Sequence, residues 1–247
     1  MSPQKRERDY ARRRYEHYQQ HLAHRAKRRR QRTVAAGILG VLVLVLGIGL
    51  TVSLSGQDDA ADPAASPSVE QATYTLPDPS TAQARTWTGT ITTNVGDLAI
   101  ELDGAVAPQA VASFVSLASQ GYFDSTPCHR LATGITVLQC GDPTGQGDGG
   151  PGYSFGPIEN APADDVYPAG TIAMARLGND ASSMGSQFFL VYEDTTIPAD
   201  SAGGYTVFGR VTSGLDVVTA VADAGVEGGG ADGPPATSVT IQGVETQ

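Results

Sequence analysis

Residues 128–143 read CHRLATGITVLQCGDP, placing His129 and Arg130 side by side in a stretch of small and apolar residues. Cations are scarce in this part of the chain. Residues 1–32 hold 12 of the 16 Lys and Arg residues, and only Arg85, Arg130, Arg176 and Arg210 follow. His129 is the sole histidine after His24. An arginine in such surroundings can sit in a surface ion pair, or it can serve as a fixed donor in a groove without other charge.

The inventory excludes several chemistries. One His and two Cys beyond residue 32 are too few for a structural zinc site. A Ser-His-Asp triad must use His129, and no G-x-S-x-G elbow is present. Cys128 is a poor partner for His129 as an activated thiol, because neighbouring strand residues point to opposite faces. The loop GDPTGQGDGGPG lacks the Lys-Ser/Thr of a phosphate cradle, and the Asp-rich loops lack EF-hand spacing. No cofactor and no metal are expected. What remains is chemistry that needs one cation, a few amides and an apolar seat.

The elements that must hold these residues follow from hydropathy and turn signals. Residues 87–93 and 97–102 alternate and predict strands, with Asn94-Val95-Gly96 as the turn. Val111, Phe114, Val115, Leu117 and Ala118 line one face of a helix that Pro108 opens and Gly121 stops. Further strands are expected at 128–132, 136–140, 170–175, 186–191, 205–211 and 238–244, with a second helix at 214–222. Short strands with two helices predict a mainly β fold, an antiparallel barrel with helices at its openings. Cys128 and Cys140 fall on neighbouring strand candidates. Whether they pair turns on a register the sequence does not give.

Charge and hydropathy divide the chain. Residues 1–32 balance at +9, whereas the other 215 residues carry four basic and 23 acidic side chains, a balance of −19. The segment 33–54 contains 21 consecutive uncharged residues from Val34 to Leu54. As a helix they span about 31 Å, the thickness of a bilayer core. Basic residues crowd one flank only, which predicts a single-pass span in the cell membrane with the 1–32 arm cytoplasmic and the remainder outside. No nucleic-acid partner is expected. Residues 55–84, rich in Ala, Ser, Pro and Asp, predict a disordered linker, and 85–247 a globular domain.

Three blocks carry a resemblance. FDSTPCHRLATGITVLQCGDPTGQG, AGTIAMARLGNDASSMGSQFFLVY and YTVFGRV follow one another in the order seen in cyclophilin-type peptidyl-prolyl cis-trans isomerases, and the similarity extends from about Trp87 to Val244. The resemblance implies an eight-stranded antiparallel barrel capped by two helices, acting on X-Pro bonds of proline-containing polypeptides. It implies a catalytic Arg130 preceded by His129, with Gln139 and Gln187 against the substrate backbone. Phe189 would form the floor of the proline pocket, with Ile197 in its wall and Tyr205 at its rim. Ala175 and Arg176 would line the peptide groove. The chain departs from the family pattern at Thr136 and Val137, where the family has Phe-Met, and at Thr196, where an aromatic residue is usual. Those departures predict a shallower or wider pocket, and give as the alternative a low-activity or inactive module that binds proline-containing peptides. Alternation places Phe188 in the core, away from Phe189.

Overall fold

A computed structural model of the chain describes residues 74–247. The expected basic arm at 1–32, the apolar span at 33–54 and most of the expected linker lie outside the described residues. Among those described, no helix is long and apolar enough to cross a membrane.

The described residues form a curled antiparallel sheet and two α-helices. The strands are β1 (Thr86–Thr93), β2 (Gly96–Asp103), β3 (Thr126–Pro127), β4 (Arg130–Ala132), β5 (Val137–Cys140), β6 (Val166–Tyr167), β7 (Thr171–Met174), β8 (Phe188–Val191), β9 (Thr195–Thr196), β10 (Val207–Ser213), β11 (Asp232–Gly233) and β12 (Thr240–Thr246). Ten of them make one sheet in the order β11-β4-β5-β8-β7-β10-β2-β1-β12-β3, and β6 pairs with β9 apart from it. The strand count differs from the eight expected. The strand expected at 128–132 is shortened to β4 and preceded by the separate β3, and β3, β6, β9 and β11 are two-residue pairings with no alternating signal to reveal them.

That separation explains how the sheet closes. β3 pairs with β12 at one end of the strand order, and β4 stands beside the other end. Only Cys128 and His129 separate them, and the Cys128 amide still donates to the Val239 carbonyl at 2.9 Å. One extended segment therefore changes partners midway, and the sheet must curl until its two ends meet. Cys128, at the corner, forms a disulfide with Cys140 at the end of β5, 12 residues on.

The helices α1 (Pro108–Ser119) and α2 (Leu215–Asp223) pack on the sheet through Val111, Phe114, Val115 and Leu117 from α1, and Val218 and Val221 from α2. Pro108 opens α1 as expected. Its first amides are met by a residue remote in sequence: Gln109 and Ala110 each donate to the Glu159 carboxylate at 3.0 Å. A carboxylate there satisfies orphan donors and complements the positive end of the helix. Phe114 packs against Phe123, Phe188 and Phe208 at centroid distances of 5.0–5.4 Å. The linker reading stops short of residue 84. Tyr74 stacks edge-on against Tyr122, Pro79–Ala82 form a turn of 3-10 helix, and Ala82 is fully buried with its carbonyl accepting from the Trp87 indole.

The disulfide closes a short loop in the unfolded chain, a constraint worth about 3 kcal/mol by loop entropy. The Cys128→Ala/Cys140→Ala double variant is expected to unfold at correspondingly lower urea concentration, followed by circular dichroism. Thiol titration of the wild-type chain in denaturant without reductant should find no free thiol.

Candidate active site

Side chains on a strand alternate between faces, and register carries the alternation from strand to strand. Arg130 pairs with Gln139, Gln139 with Phe189, and Phe189 with Ala173, so these four stand in one row across β4, β5, β8 and β7. Ala132, Val137 and Val191 make the next row on the same face. The residues between them, Leu131, Leu138, Cys140, Phe188, Leu190, Ile172 and Met174, point the other way into the main core. Phe188 thus lies in the core, as alternation implies. The outward rows form a second apolar cluster, in which Ala132, Val137, Tyr167, Ala173, Phe189, Val191 and Ile197 are buried. Ile135, Ala175 and Tyr205 pack against it. The Tyr205 ring meets Phe189 edge-on at 5.4 Å.

Beside this apolar seat runs a chain of hydrogen bonds. Arg130 Nε and Nη2 donate to the two carboxylate oxygens of Asp232 at 2.8 and 2.6 Å. Arg130 Nη1 donates to Gln139 Oε1 at 3.0 Å, Gln139 Nε2 to Gln187 Oε1 at 2.8 Å, and Gln187 Nε2 to the Gly149 carbonyl at 2.9 Å. Each amide accepts on one side and donates on the other, so the run has a single direction. The loop carrying Gly149 is itself fixed by Asp142, which is fully buried and accepts from the Thr144, Gly147 and Gly149 amides. Burial pushes the Asp142 carboxyl up, but these hydrogen bonds outweigh it and leave it below the ordinary carboxylate value. Gly141, just before it, has φ +84°, and a Cβ there would lie 2.4 Å from the Ser186 carbonyl. A cavity of about 190 Å³ opens beyond Gln187, lined by Tyr153, Arg176, Leu177 and Ser183 among others.

His129 sits at the corner between β3 and β4, half-buried. Its Nδ1 is a buried polar atom with no hydrogen-bond partner. Burial holds the imidazole below its ordinary pKa, with the Arg130 charge acting in the same direction and Asp142 opposing. The neutral form of the ring is thereby favoured beside the guanidinium.

Of the residues singled out from sequence, Arg130, Gln139, Gln187, Val137, Phe189, Ala175, Ile197 and Tyr205 converge on this face. Thr136 does not. It occupies a turn at φ +46° and its hydroxyl donates to the Glu193 carbonyl at 2.8 Å. Ile135, one residue earlier, packs against the apolar cluster instead. The extra residue in the turn displaced the sequence reading by one position. Thr196 is exposed in β9.

Arg176 is not an open groove donor. Its side chain is 1% exposed, with a fork onto Asp200 at 2.9 and 3.0 Å, bonds to the Gly203 and Gly204 carbonyls, and its guanidinium 4.7 Å from the Tyr205 ring centroid. It ties the 200–205 loop to the rim of the apolar seat. Sequence reasoning also missed Asp232, Tyr167 and Asp200. Tyr167 is fully buried and its hydroxyl accepts from the Tyr205 amide at 2.9 Å. None of the three stands in a periodic pattern or a recognisable block. Among the described residues no group of three or more His, Cys, Asp or Glu is placed to hold a metal ion.

Comparison with known proteins accords with this geometry. Residues 88–246 match the family described as cyclophilin type peptidyl-prolyl cis-trans isomerase/CLD. The chain is 48% identical over 165 residues to a probable peptidyl-prolyl cis-trans isomerase B of Mycobacterium tuberculosis, covering 62% of this chain and 52% of the relative. It is 43% identical over 197 residues to the protein of that name in Mycobacterium leprae, covering 74% of this chain and 63% of the relative. The chain thus spans between half and two-thirds of the length of these mycobacterial relatives. A crystal structure of a cyclophilin type peptidyl-prolyl cis-trans isomerase from Cryptosporidium parvum, determined in the presence of the dipeptide Ala-Pro, superposes with a TM-score of 0.54 at 27% identity, over 65% of this chain and 98% of that one.

The Arg176 fork holds the Asp200 carboxyl down to about 2, with amides from Asn179 and Ala202 adding to the effect against burial. A depressed folded pKa stabilises above the unfolded value near about 4 and is lost as pH falls toward about 2. Asp200→Asn is expected to lower the unfolding free energy at pH 7 by about 1.5–3 kcal/mol, the worth of charge-assisted hydrogen bonds. That difference should shrink between pH 4 and pH 2 in urea titrations.

Proposed function

The chain belongs to the cyclophilin-type peptidyl-prolyl cis-trans isomerase family, and on that premise we propose that the Arg130 face catalyses rotation about X-Pro bonds of extended polypeptide segments. Rotation about an amide faces a barrier of about 18–20 kcal/mol, because conjugation gives the C–N bond double-bond character. As the amide twists, the proline nitrogen regains its lone pair and becomes a hydrogen-bond acceptor. No covalent bond to carbon breaks, so neither a nucleophile nor a cofactor has a role. A donor aimed at the nitrogen of the twisted form, and met only there, lowers the barrier without tightening the ground state.

Arg130 would be that donor. It shares one cross-strand row with Gln139 and with Phe189, which belongs to the apolar cluster. The proline ring would rest on Phe189 among Val137, Ile197 and Tyr205. Gln139 and Gln187 would meet the peptide backbone, and Ala175 would line its path. A neutral His129 would border the donor without adding a second charge. The observation that carries this reading is the continuous hydrogen-bond run through Arg130, Gln139 and Gln187 beside a second apolar cluster on the face opposite the main core.

The location of the reaction is a further part of the proposal. The uncharged run from Val34 to Leu54, flanked by bases on one side only, supports a single-pass anchor that leaves the domain extracytoplasmic, where it would act on secreted or cell-wall polypeptides. Protease added to intact cells expressing the chain should then remove the domain and spare the basic arm.

The activity is tested by following cis-trans exchange of a blocked Ala-Pro peptide with the full chain. Arg130→Ala is expected to reduce acceleration about 10- to 150-fold, corresponding to a charge-assisted bond of about 1.5–3 kcal/mol. Peptide binding without acceleration in the wild-type chain would instead mark a binding module, a reading motivated by Thr136 and Val137 standing where the family has Phe-Met.

A further inference from the structure

No acidic residue is expected in the groove from the sequence, yet a carboxylate stands beside Arg130. Asp232 comes from the glycine-rich segment between α2 and β12, far from the blocks that define the site. We propose that Asp232 is a positioning residue for Arg130, holding the guanidinium in the plane and direction that turnover requires. The inference rests on the reading of Arg130 as the donor to the twisted amide.

The placement follows from register. β11 adds to the free edge of β4, with Asp232 opposite Ala132 and Gly233 opposite Leu131. Cross-strand partners share a face, so the Asp232 side chain lies on the face that carries Ala132 and Arg130. Arg130 is the diagonal neighbour, two residues along, at a distance a long side chain spans. The carboxylate carrier is also anchored. The Thr133 amide donates to the Ala231 carbonyl at 2.9 Å, and the Glu227 amide to the Pro234 carbonyl at 2.8 Å. The backbone of Asp232 is therefore paired to the strand whose arginine it holds.

The contact has the form that orients an arginine. Two carboxylate oxygens take Nε and Nη2 along one edge, while Gln139 takes Nη1 on another. A planar fork gripped on two edges has no freedom to rotate about its own axis. Without Asp232 the two charge-assisted contacts along that edge are lost, and the direction of the guanidinium's donors is less closely held. Donors set in place beforehand are the ones that stabilise a transition state without reorganisation. The pair is no internal salt bridge: the two side chains are 33% and 37% exposed. Exposed pairs add little to folding stability, so the effect of Asp232 is expected in turnover.

The test compares the full-length wild-type chain with Asp232→Asn, Asp232→Glu and Arg130→Ala. The probe is a blocked tetrapeptide with a central Ala-Pro bond. NMR magnetisation exchange at saturating peptide gives turnover, titration gives Kd, and thermal unfolding gives Tm. Asp232→Asn is expected to lower saturated turnover about tenfold with Kd changed less than about twofold, and Asp232→Glu to restore part of the loss. Tm should move by no more than about 2 °C. Turnover that is unchanged or raised in Asp232→Asn overturns the inference, the latter because the carboxylate would then mask the arginine. An equal loss in turnover and affinity, or a larger fall in Tm, also overturns it, since the carboxylate would then be holding the segment and not the guanidinium. A wild-type chain that fails to accelerate exchange refutes the reading of the groove itself. An active wild type, an inactive Arg130→Ala and a wild-type-like Asp232→Asn refute the role of Asp232 alone.

Discussion

The alternation of side chains across β4, β5, β8 and β7 is the constraint on which the rest of the structure depends. With a period of two, every second residue of these strands must serve the interior and every other one the outside. Leu131, Leu138, Phe188, Leu190 and Ile172 fill the main core. Arg130, Ala132, Val137, Gln139, Phe189 and Val191 are thereby forced onto the opposite face. A slip of one residue in any pairing would exchange the two sets and place a guanidinium in the core. The site is the reverse side of the core, fixed by the same register. The disulfide acts on that register directly, since Cys128 and Cys140 flank His129-Arg130 on one side of the hairpin and follow Gln139 on the other.

The amides of the groove could each point either way, and their environment decides which. Asp232 can only accept, so Arg130 must donate to it. Arg130 can only donate, so Gln139 turns its oxygen toward the guanidinium and its nitrogen toward Gln187. Gln187 must then accept from Gln139 and donate to the Gly149 carbonyl. Asp142 keeps that carbonyl in place by gathering the amides of the surrounding loop. The polarity of the whole run is set at one end by an anion and at the other by a buried anion acting through a loop. A substrate backbone laid against it meets groups whose directions are already determined.

The sequence made the scaffold legible and left the connections hidden. The positions of both helices and of the long strands could be read from alternation and from Pro108 and Gly121, because burial on one face leaves a periodic trace. The row of Arg130, Gln139 and Phe189 could be assigned from the blocks around them. The resemblance puts Thr136 in the pocket, but an added residue in a tight turn shifts the face of its neighbours, and only the backbone shows that Thr136 takes the left-handed position while Ile135 packs on the apolar cluster of the site. Asp232 and Asp200 were invisible for a different reason. Each lies in a short irregular segment brought to the site by a two-residue pairing or by a fork from a distant arginine. Such contacts depend on where two loops end in space, which no local pattern encodes. Residues 74–84 read as linker for their Pro and Ser content, though a buried alanine, one ring contact and one indole hydrogen bond tie them to the domain.

The scarcity of cations takes on a meaning once the partners are known. Among the described residues there are four arginines and no lysine, and each arginine has a specific neighbour. Arg85 stacks 3.8 Å over the Trp87 ring, Arg176 forks onto Asp200, Arg210 pairs with Glu101, and Arg130 grips Asp232. In a domain this rich in carboxylates, a loosely held cation would find many partners of nearly equal energy and would be spread among them. An ammonium, being a compact and freely rotating donor, would be spread the most. A guanidinium can be singled out by a carboxylate whose geometry matches its edge. Specificity of pairing, more than total charge, is what keeps one cation pointing across an apolar seat amid so much negative charge.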